Sequence, residues 1–386
     1  MILERLKKNP SLSLILIFGL VSLLGDMIYE GARGVVGPYM ASLGASAAIV
    51  GFVSGIGEFL GYGLRLISGY LTDKTNLLWT FTILGYLMII SIPLLGISNS
   101  WEIAAIFIIL ERIGKGIRTP ARDVILSYAT KEIGRGFGFG IHEAMDQIGA
   151  IIGPLLFGLF LYVGLGYKKG FLMLIFPCIF LLIVLFIAKH TVKDPKRLEK
   201  NLGDNKRKQD IPSIFWIYVV FSAISVIGFV NFQIISYHFK VQHILNDSFI
   251  PIIYAFAMGI DAIFALIIGR IYDKFGLKTV LIIPFINIFI PFFVFRKSIN
   301  FLILGIIIWG MVMAMYETVM RASIADIIPI AKRGYSYGIF NTVFGLSYFL
   351  GSFVIGFLYT LNLDYVIIYI LIMSVVSLLV GLKLIK

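Results

Sequence analysis

The sequence has almost no cysteine and very little charge. A single cysteine, Cys178, stands among 386 residues, which excludes an intrachain disulfide and any cysteine-based metal site. Charged residues make up 14% of the chain against 59% hydrophobic ones, with a mean hydropathy of +0.96. No water-soluble globule of this length covers its surface with so little polarity. Chemistry-bearing motifs are missing as well: there is no His-Glu-x-x-His zinc site, no Gly-x-Ser-x-Gly elbow and no Walker-type phosphate loop. The glycine-rich run Gly134-Arg-Gly-Phe-Gly-Phe-Gly140 lacks a following Lys-Ser or Lys-Thr and opens an apolar stretch, so it reads as helix packing. These absences weigh against an enzyme, leaving a membrane-embedded one as a remote alternative, and against a nucleotide-driven pump.

What is present is a series of hydrophobic stretches, each near the roughly 20 residues that a bilayer-crossing helix needs. They predict an all-α, polytopic membrane protein with spans near 12–40, 46–71, 77–97, 101–128, 135–164, 169–189, 212–240, 248–271, 278–296, 299–328, 334–361 and 363–384. The first stretch follows Arg5, Lys7 and Lys8 but continues through Asp26, Glu30 and Arg33 without a cleavage site, so it is expected to be a span rather than a signal peptide. The net charge of +12 is carried by alternate loops, as the positive-inside rule requires, with Lys168-Lys169 and Arg296-Lys297 as exceptions. That pattern places both termini in the cytoplasm, implies an even number of spans in the cell membrane, and accounts for the basic balance without nucleic acid.

One long polar insert, rich in Lys, Asp and Asn, divides the chain. The expected domains are a six-helix bundle over 1–189, a cytoplasmic linker over 190–211 and a second bundle over 212–386. An internal repeat supports this division. Gly69-Tyr-Leu-Thr-Asp73-Lys74 follows the second span, and Gly269-Arg-Ile-Tyr-Asp273-Lys274-Phe-Gly276-Leu-Lys278 follows the eighth. Arg135-Gly-Phe-Gly-Phe-Gly140 and Arg333-Gly-Tyr-Ser-Tyr-Gly338 each open the fifth span of their half. Such duplication indicates two pseudo-symmetric bundles related by an axis along the membrane normal.

The Gly-x-x-x-Asp-Lys segment, present in both halves, resembles the loop signature of the major facilitator superfamily, and helix number, central linker and repeat fit that family over essentially the whole chain. The first copy departs from the pattern at Thr75, Asn76 and Leu77, where a glycine and a further basic residue are common. The resemblance implies a secondary transporter of a small-molecule substrate, usually monomeric, working by alternating access, with no cofactor beyond a coupling ion. It also implies a cytoplasmic gate that includes Gly69, Asp73, Lys74, Gly269, Asp273 and Lys274. Arg118 and Arg122 at the end of the fourth span are expected to join this gate with Asp73. Gly149, Gly153, Pro154 and Gly158 in the fifth span look like the helix-packing signature of the proton-linked drug-export branch, and equally fit ordinary small-residue packing.

Ionisable groups inside spans are costly and require partners or water-filled space. Asp26, Glu30 and Arg33 share one face of the first helix, Glu58 and Arg65 one face of the second, and Glu111, Lys115, Arg118 and Arg122 form a stripe along the fourth beside Arg112. The fifth adds His142, Glu143, Asp146 and Gln147. The second half is plainer, with Asn231, Gln233, Asp261, Glu317, Arg321, Asp326 and Asn341. Proton coupling and the substrate cavity are therefore expected at Asp26, Glu30, Arg33, Glu58, Arg112, His142, Glu143, Asp146, Asn231, Glu317 and Arg321, with ion handling concentrated in the first half. Aromatic residues such as Tyr29, Tyr62, Phe229, Tyr237 and Tyr316 suit an amphiphilic or organic-ion solute. Efflux by proton antiport is the expectation; proton- or sodium-coupled uptake is the alternative.

Overall fold

The computed structural model describes residues 10–130, 135–192, 211–329 and 333–385, without the side chains at 10, 130, 135–139, 321 and 333–334. Among the described residues there is no strand. The long helices are Pro10–Ser42, Ala47–Thr75, Trp101–Thr130, Arg135–Tyr162, Ile175–Thr191, Phe249–Phe275, Ile299–Glu317, Arg333–Leu361 and Leu363–Gly381.

Among the described residues ten stretches are long and apolar enough to cross a membrane by length and composition. Two features reconcile ten with the twelve expected from sequence. One stretch, Phe249–Val294, runs over two expected spans, and Gly276 divides it with φ +59°. The fourth span, Trp101–Thr130, is absent from the ten because the stripe from Glu111 to Arg122 lowers its apolarity.

The repeated Gly-x-x-x-Asp-Lys segments are placed differently from expectation. Asp73 and Lys74 lie within Ala47–Thr75, and Asp273 and Lys274 within Phe249–Phe275, so both segments are the last turns of helices rather than loops. The chain turns just after them, at Asn76 (φ 57°) and Gly276 (φ 59°). Asparagine is among the side chains that best tolerate a positive φ, whereas Gly276 combines its φ with ψ −141°, a conformation essentially confined to glycine.

The repeat extends to packing. A Cβ at Gly69 would lie 3.6 Å from Pro120 Cβ on the fourth span, and one at Gly269 would lie 3.8 Å from Thr318 Cγ2 beside the tenth. Equivalent glycines therefore face equivalent helices.

Two compact units are present: residues 1–32 with 64–204, and residues 33–63 with 205–386. In the second unit the N-terminal part of Ala47–Thr75 lies on Arg333–Leu361. A side chain at Gly51 would overlap the Ser352 carbonyl, one at Gly356 the Ala47 carbonyl, and one at Gly55 would stand 2.9 Å from Phe349 Cα. Phe52 meets the rings of Phe349 and Phe353 edge-on at 5.6 and 5.9 Å. Glycines four apart on one helix and small or aromatic groups at similar intervals on the other allow this backbone approach.

The seventh span is broken between Ser213–Ile227 and Phe232–Val241. Freed carbonyls in a membrane need donors, and here they have them: Asn287 Nδ2 donates to Gly228 O at 3.0 Å and Trp309 Nε1 to Val230 O at 2.9 Å. Asn231, expected in the substrate cavity, is fully buried; its Oδ1 caps the second helix by accepting from Ile234 N, 2.8 Å away, and its Nδ2 donates to Ser352 Oγ. Its side chain is spent on holding the break.

A charged cluster in the first unit

The fifth span meets the first through small residues at intervals of four. A Cβ at Gly149 would overlap the Leu23 carbonyl and lie 3.0 Å from Asp26 Cβ; one at Gly153 would overlap the Met27 carbonyl; one at Gly31 would lie 3.0 Å from Gly153 O. Gly158 is buried and Pro154 lies inside the helix. The stripe that the sequence offered as a packing motif therefore packs the fifth span on the first. The close approach carries Asp26 into the electrostatic field of Asp146, Lys115 and Glu30, with a hydrogen bond to Tyr29.

Tyr29 is buried beside two cations. Lys115 Nζ donates to its hydroxyl at 3.0 Å and stands 4.2 Å from the ring centroid, while Arg112 Cζ lies 5.2 Å from the same ring. Glu111, 1% exposed, binds Arg112 Nε at 3.0 Å and Arg118 Nη2 at 3.2 Å. Arg118 also donates to Gly85 O at 3.3 Å and lies 5.0 Å from the Tyr86 ring. Arg118 is buried, whereas Asp73 is exposed. The expectation that Arg118 and Asp73 form a surface gate is thus corrected: the carboxylate that satisfies Arg118 is on its own helix, seven residues earlier.

Arg122 is likewise occupied away from Asp73. It binds Asp123 Oδ1 through Nη2 at 2.8 Å and Nε at 3.0 Å, and its Nη1 donates to Ser22 Oγ at 3.3 Å. Ser22 Oγ lies 2.9 Å from His142 Nε2, and His142 Nδ1 lies 3.5 Å from Asp146 Oδ2. Ser22 escaped sequence reasoning because serine is unremarkable in a span. Its position one turn before Asp26, on the Asp26–Glu30–Arg33 face, is the signal that marks it. Glu30 and His142 are buried and Glu143 is exposed.

The second unit holds a separate pair, Arg33 Nη2 to Glu58 Oε1 at 2.9 Å, with Tyr348 hydrogen bonded to Arg33. In the same unit Tyr62 meets Phe344 at 5.3 Å and Phe344 meets Tyr316 at 6.0 Å. Tyr316 also meets Phe229 at 5.0 Å, and its hydroxyl donates to Ser225 O at 2.9 Å. Glu317 sits where the tenth span is interrupted at Thr318. The Arg321 side chain lies outside the described residues. Sequence reasoning placed Asp26, Glu30, Arg112, His142 and Asp146 on three helices of one half, and the structure brings those helices into a single cluster. Arg33 and Glu58 belong instead to the second unit.

Among the described residues no group of three or more His, Cys, Asp or Glu side chains is arranged to hold a metal ion. In the first unit Arg112 and Arg118 share one buried carboxylate, and Arg122 reaches from Asp123 to Ser22. Such a network holds each charge in place against its partners, and a change in one shifts the balance on the others.

The Major Facilitator Superfamily profile matches residues 15–283 and 242–386. An uncharacterized protein of Mycobacterium tuberculosis is 36% identical over 380 residues, 96% of this chain and 93% of its own length. An uncharacterized MFS-type transporter of Methanocaldococcus jannaschii is 31% identical over 376 residues, covering 94% and 92%. A crystal structure of the nucleoside transporter NupG superposes with a TM-score of 0.72 at 16% identity, covering 96% of this chain and 98% of that one; this likeness concerns the fold. Profile, relatives and fold agree: the chain belongs to the major facilitator superfamily, a family of multi-pass membrane transporters and not of enzymes.

Proposed function

We propose that the protein exports a small organic solute by proton antiport across the cell membrane, with both termini cytoplasmic and a single chain as the working unit. The observation that carries this reading is the placement of Asp26 and Asp146 in one field shared with Lys115. Asp26 and Asp146 act on one another with Lys115 and Arg122 beside them, so a proton taken up or released by either acid changes the charge balance of the whole group. A solute that enters from the cytoplasm and favours the ionised carboxylates releases that proton, and the two bundles then exchange access. The packing of the fifth span on the first supports export through its likeness to the drug-antiporter signature. Arg33, Glu58 and the aromatic side chains around Phe344 would form the wall that contacts solute.

The test uses inverted vesicles with an acid interior and a pH-sensitive dye, challenged in turn with tetraphenylphosphonium, benzoate, a nucleoside and a hexose. One of these is expected to dissipate the gradient, and Asp26→Asn and Asp146→Asn are each expected to slow dissipation by about 100-fold or more. Glu143→Gln, at an exposed position, keeps most of the rate. Unchanged dissipation in both aspartate variants would sink the assignment, and a sodium requirement or solute entry with the proton would replace antiport by the corresponding carrier mode.

A further inference from the structure

Three side chains from two helices converge on Ser22 Oγ of a third, in a residue that is 2% exposed. Arg122 Nη1 of the fourth span donates to it at 3.3 Å, His142 Nε2 of the fifth lies 2.9 Å away, and Asp146 of the fifth also hydrogen bonds with Ser22. A guanidinium only donates, so Ser22 Oγ must accept from Arg122 and its own hydrogen is turned towards the other two partners. That hydrogen faces the Asp146 carboxylate, which only accepts, and His142 Nε2, which accepts in the tautomer that carries its hydrogen on Nδ1. His142, 4% exposed, completes the triangle with Nδ1 3.5 Å from Asp146 Oδ2.

We propose that Ser22 and His142 are positioning residues that deliver the coupling proton to Asp146. The inference rests on the coupling role given above to Asp146. In one delivery, the Ser22 hydroxyl hydrogen passes to His142 Nε2, and the Nδ1 hydrogen passes to Asp146 Oδ2 when that 3.5 Å separation closes to hydrogen-bond length. Ser22 Oγ takes a replacement proton from water on the side of Arg122, whose side chain is 18% exposed, and the hydroxide left behind stays in the aqueous phase. One proton enters, one reaches the carboxylate, Ser22 remains a hydroxyl and the imidazole remains neutral in its other tautomer. The charged groups around this path are Lys115, Arg122 and Asp123 of the fourth span, Asp26 of the first, and Glu143 and Asp146 of the fifth. Arg122 holds Ser22 in orientation and stays charged throughout, because a guanidinium does not titrate here. A serine that served packing alone would need neither the cation on one side nor the imidazole on the other.

The experiment applies a photoacid proton pulse to the detergent-solubilised full chain and follows the carboxyl C=O infrared band. In the natural sequence a protonation band lost in Asp146→Asn is expected. Ser22→Ala and His142→Gln should keep its amplitude and slow its rise by about 10-fold or more, while Ser22→Thr, which restores a hydroxyl, should return the rate. Unchanged kinetics in Ser22→Ala and His142→Gln overturn the relay alone. Absence of any Asp146-dependent band in the natural sequence overturns the coupling reading beneath it, and the relay with it. A loss of amplitude in Ser22→Ala that Ser22→Thr fails to rescue also overturns the relay, since it assigns Ser22 to holding the fold.

Discussion

Glu111→Gln is expected to destabilise the protein by about 3–5 kcal/mol, the usual cost of stripping the counter-charge from buried ions. Glu111 is 1% exposed, and it serves two guanidiniums, Arg112 at 7% and Arg118 at 3%. Glutamine keeps the shape and one acceptor oxygen but removes the negative charge. Two like charges then remain on neighbouring turns of one helix without the carboxylate between them. The Gly85 carbonyl and the faces of Tyr29 and Tyr86 are weaker partners than that carboxylate. The single cysteine supplies the readout: Cys178 is fully buried, so a thiol-reactive fluorogenic dye reports unfolding on heating. A fall in Tm of at least ~5 °C is expected. Adding Arg118→Met should recover part of it, because removing both members of a buried pair costs less than removing one. A Tm within about 1 °C of the natural protein would mean that water or lipid headgroups satisfy the arginines.

Gly153→Leu is expected to be comparably damaging for a steric reason. The added Cβ would overlap the Met27 carbonyl and lie 2.9 Å from Met27 Cα. Overpacking commonly costs about 1–3 kcal/mol, and more where the obstacle is backbone that no rotamer change can clear. The first and fifth spans must separate to admit the side chain, which also draws Asp26 away from Asp146. Gly140→Leu is the control, since nothing lies within 4 Å of a Cβ there, and leucine is the better helix former. With the same dye, Gly153→Leu should lower Tm by several degrees or prevent recovery of folded protein, and Gly140→Leu should leave Tm unchanged or raised. Equal behaviour of the two variants would show that the helix contact yields easily.

Much of this molecule is legible before any coordinates. Composition and span length dictate a helical membrane protein because backbone polar groups in lipid must be satisfied within the chain. Duplication shows in the paired segments at Gly69 and Gly269, and helical spacing alone puts Asp26, Glu30 and Arg33 on one face. The stripe from Glu111 to Arg122 is equally plain in sequence, and its charge is what keeps Trp101–Thr130 out of the set of apolar stretches. Spacing along one helix identifies which residues share a face, and so it identified most members of the cluster.

Pairing across helices was decided only by tertiary structure. Sequence could not show whether Arg118 turns to Asp73 or to Glu111, because its long side chain suits either, and only the depth of the Gly85–Arg118 contact selects the buried partner. Nor could it show that Asn231 is consumed by capping, since the break at Gly228–Val230 depends on donors from Asn287 and Trp309, 59 and 79 residues away in sequence from the carbonyls they serve. Ser22 gained its significance in the same way, from partners 100 and 120 residues further along the chain. Fold class, the repeated segments and the helix face that each ionisable group shares follow from the chain of residues alone, because they depend on local periodicity and the cost of burying polarity. The tertiary structure alone decided which charges meet, because that depends on where glycines let backbones touch.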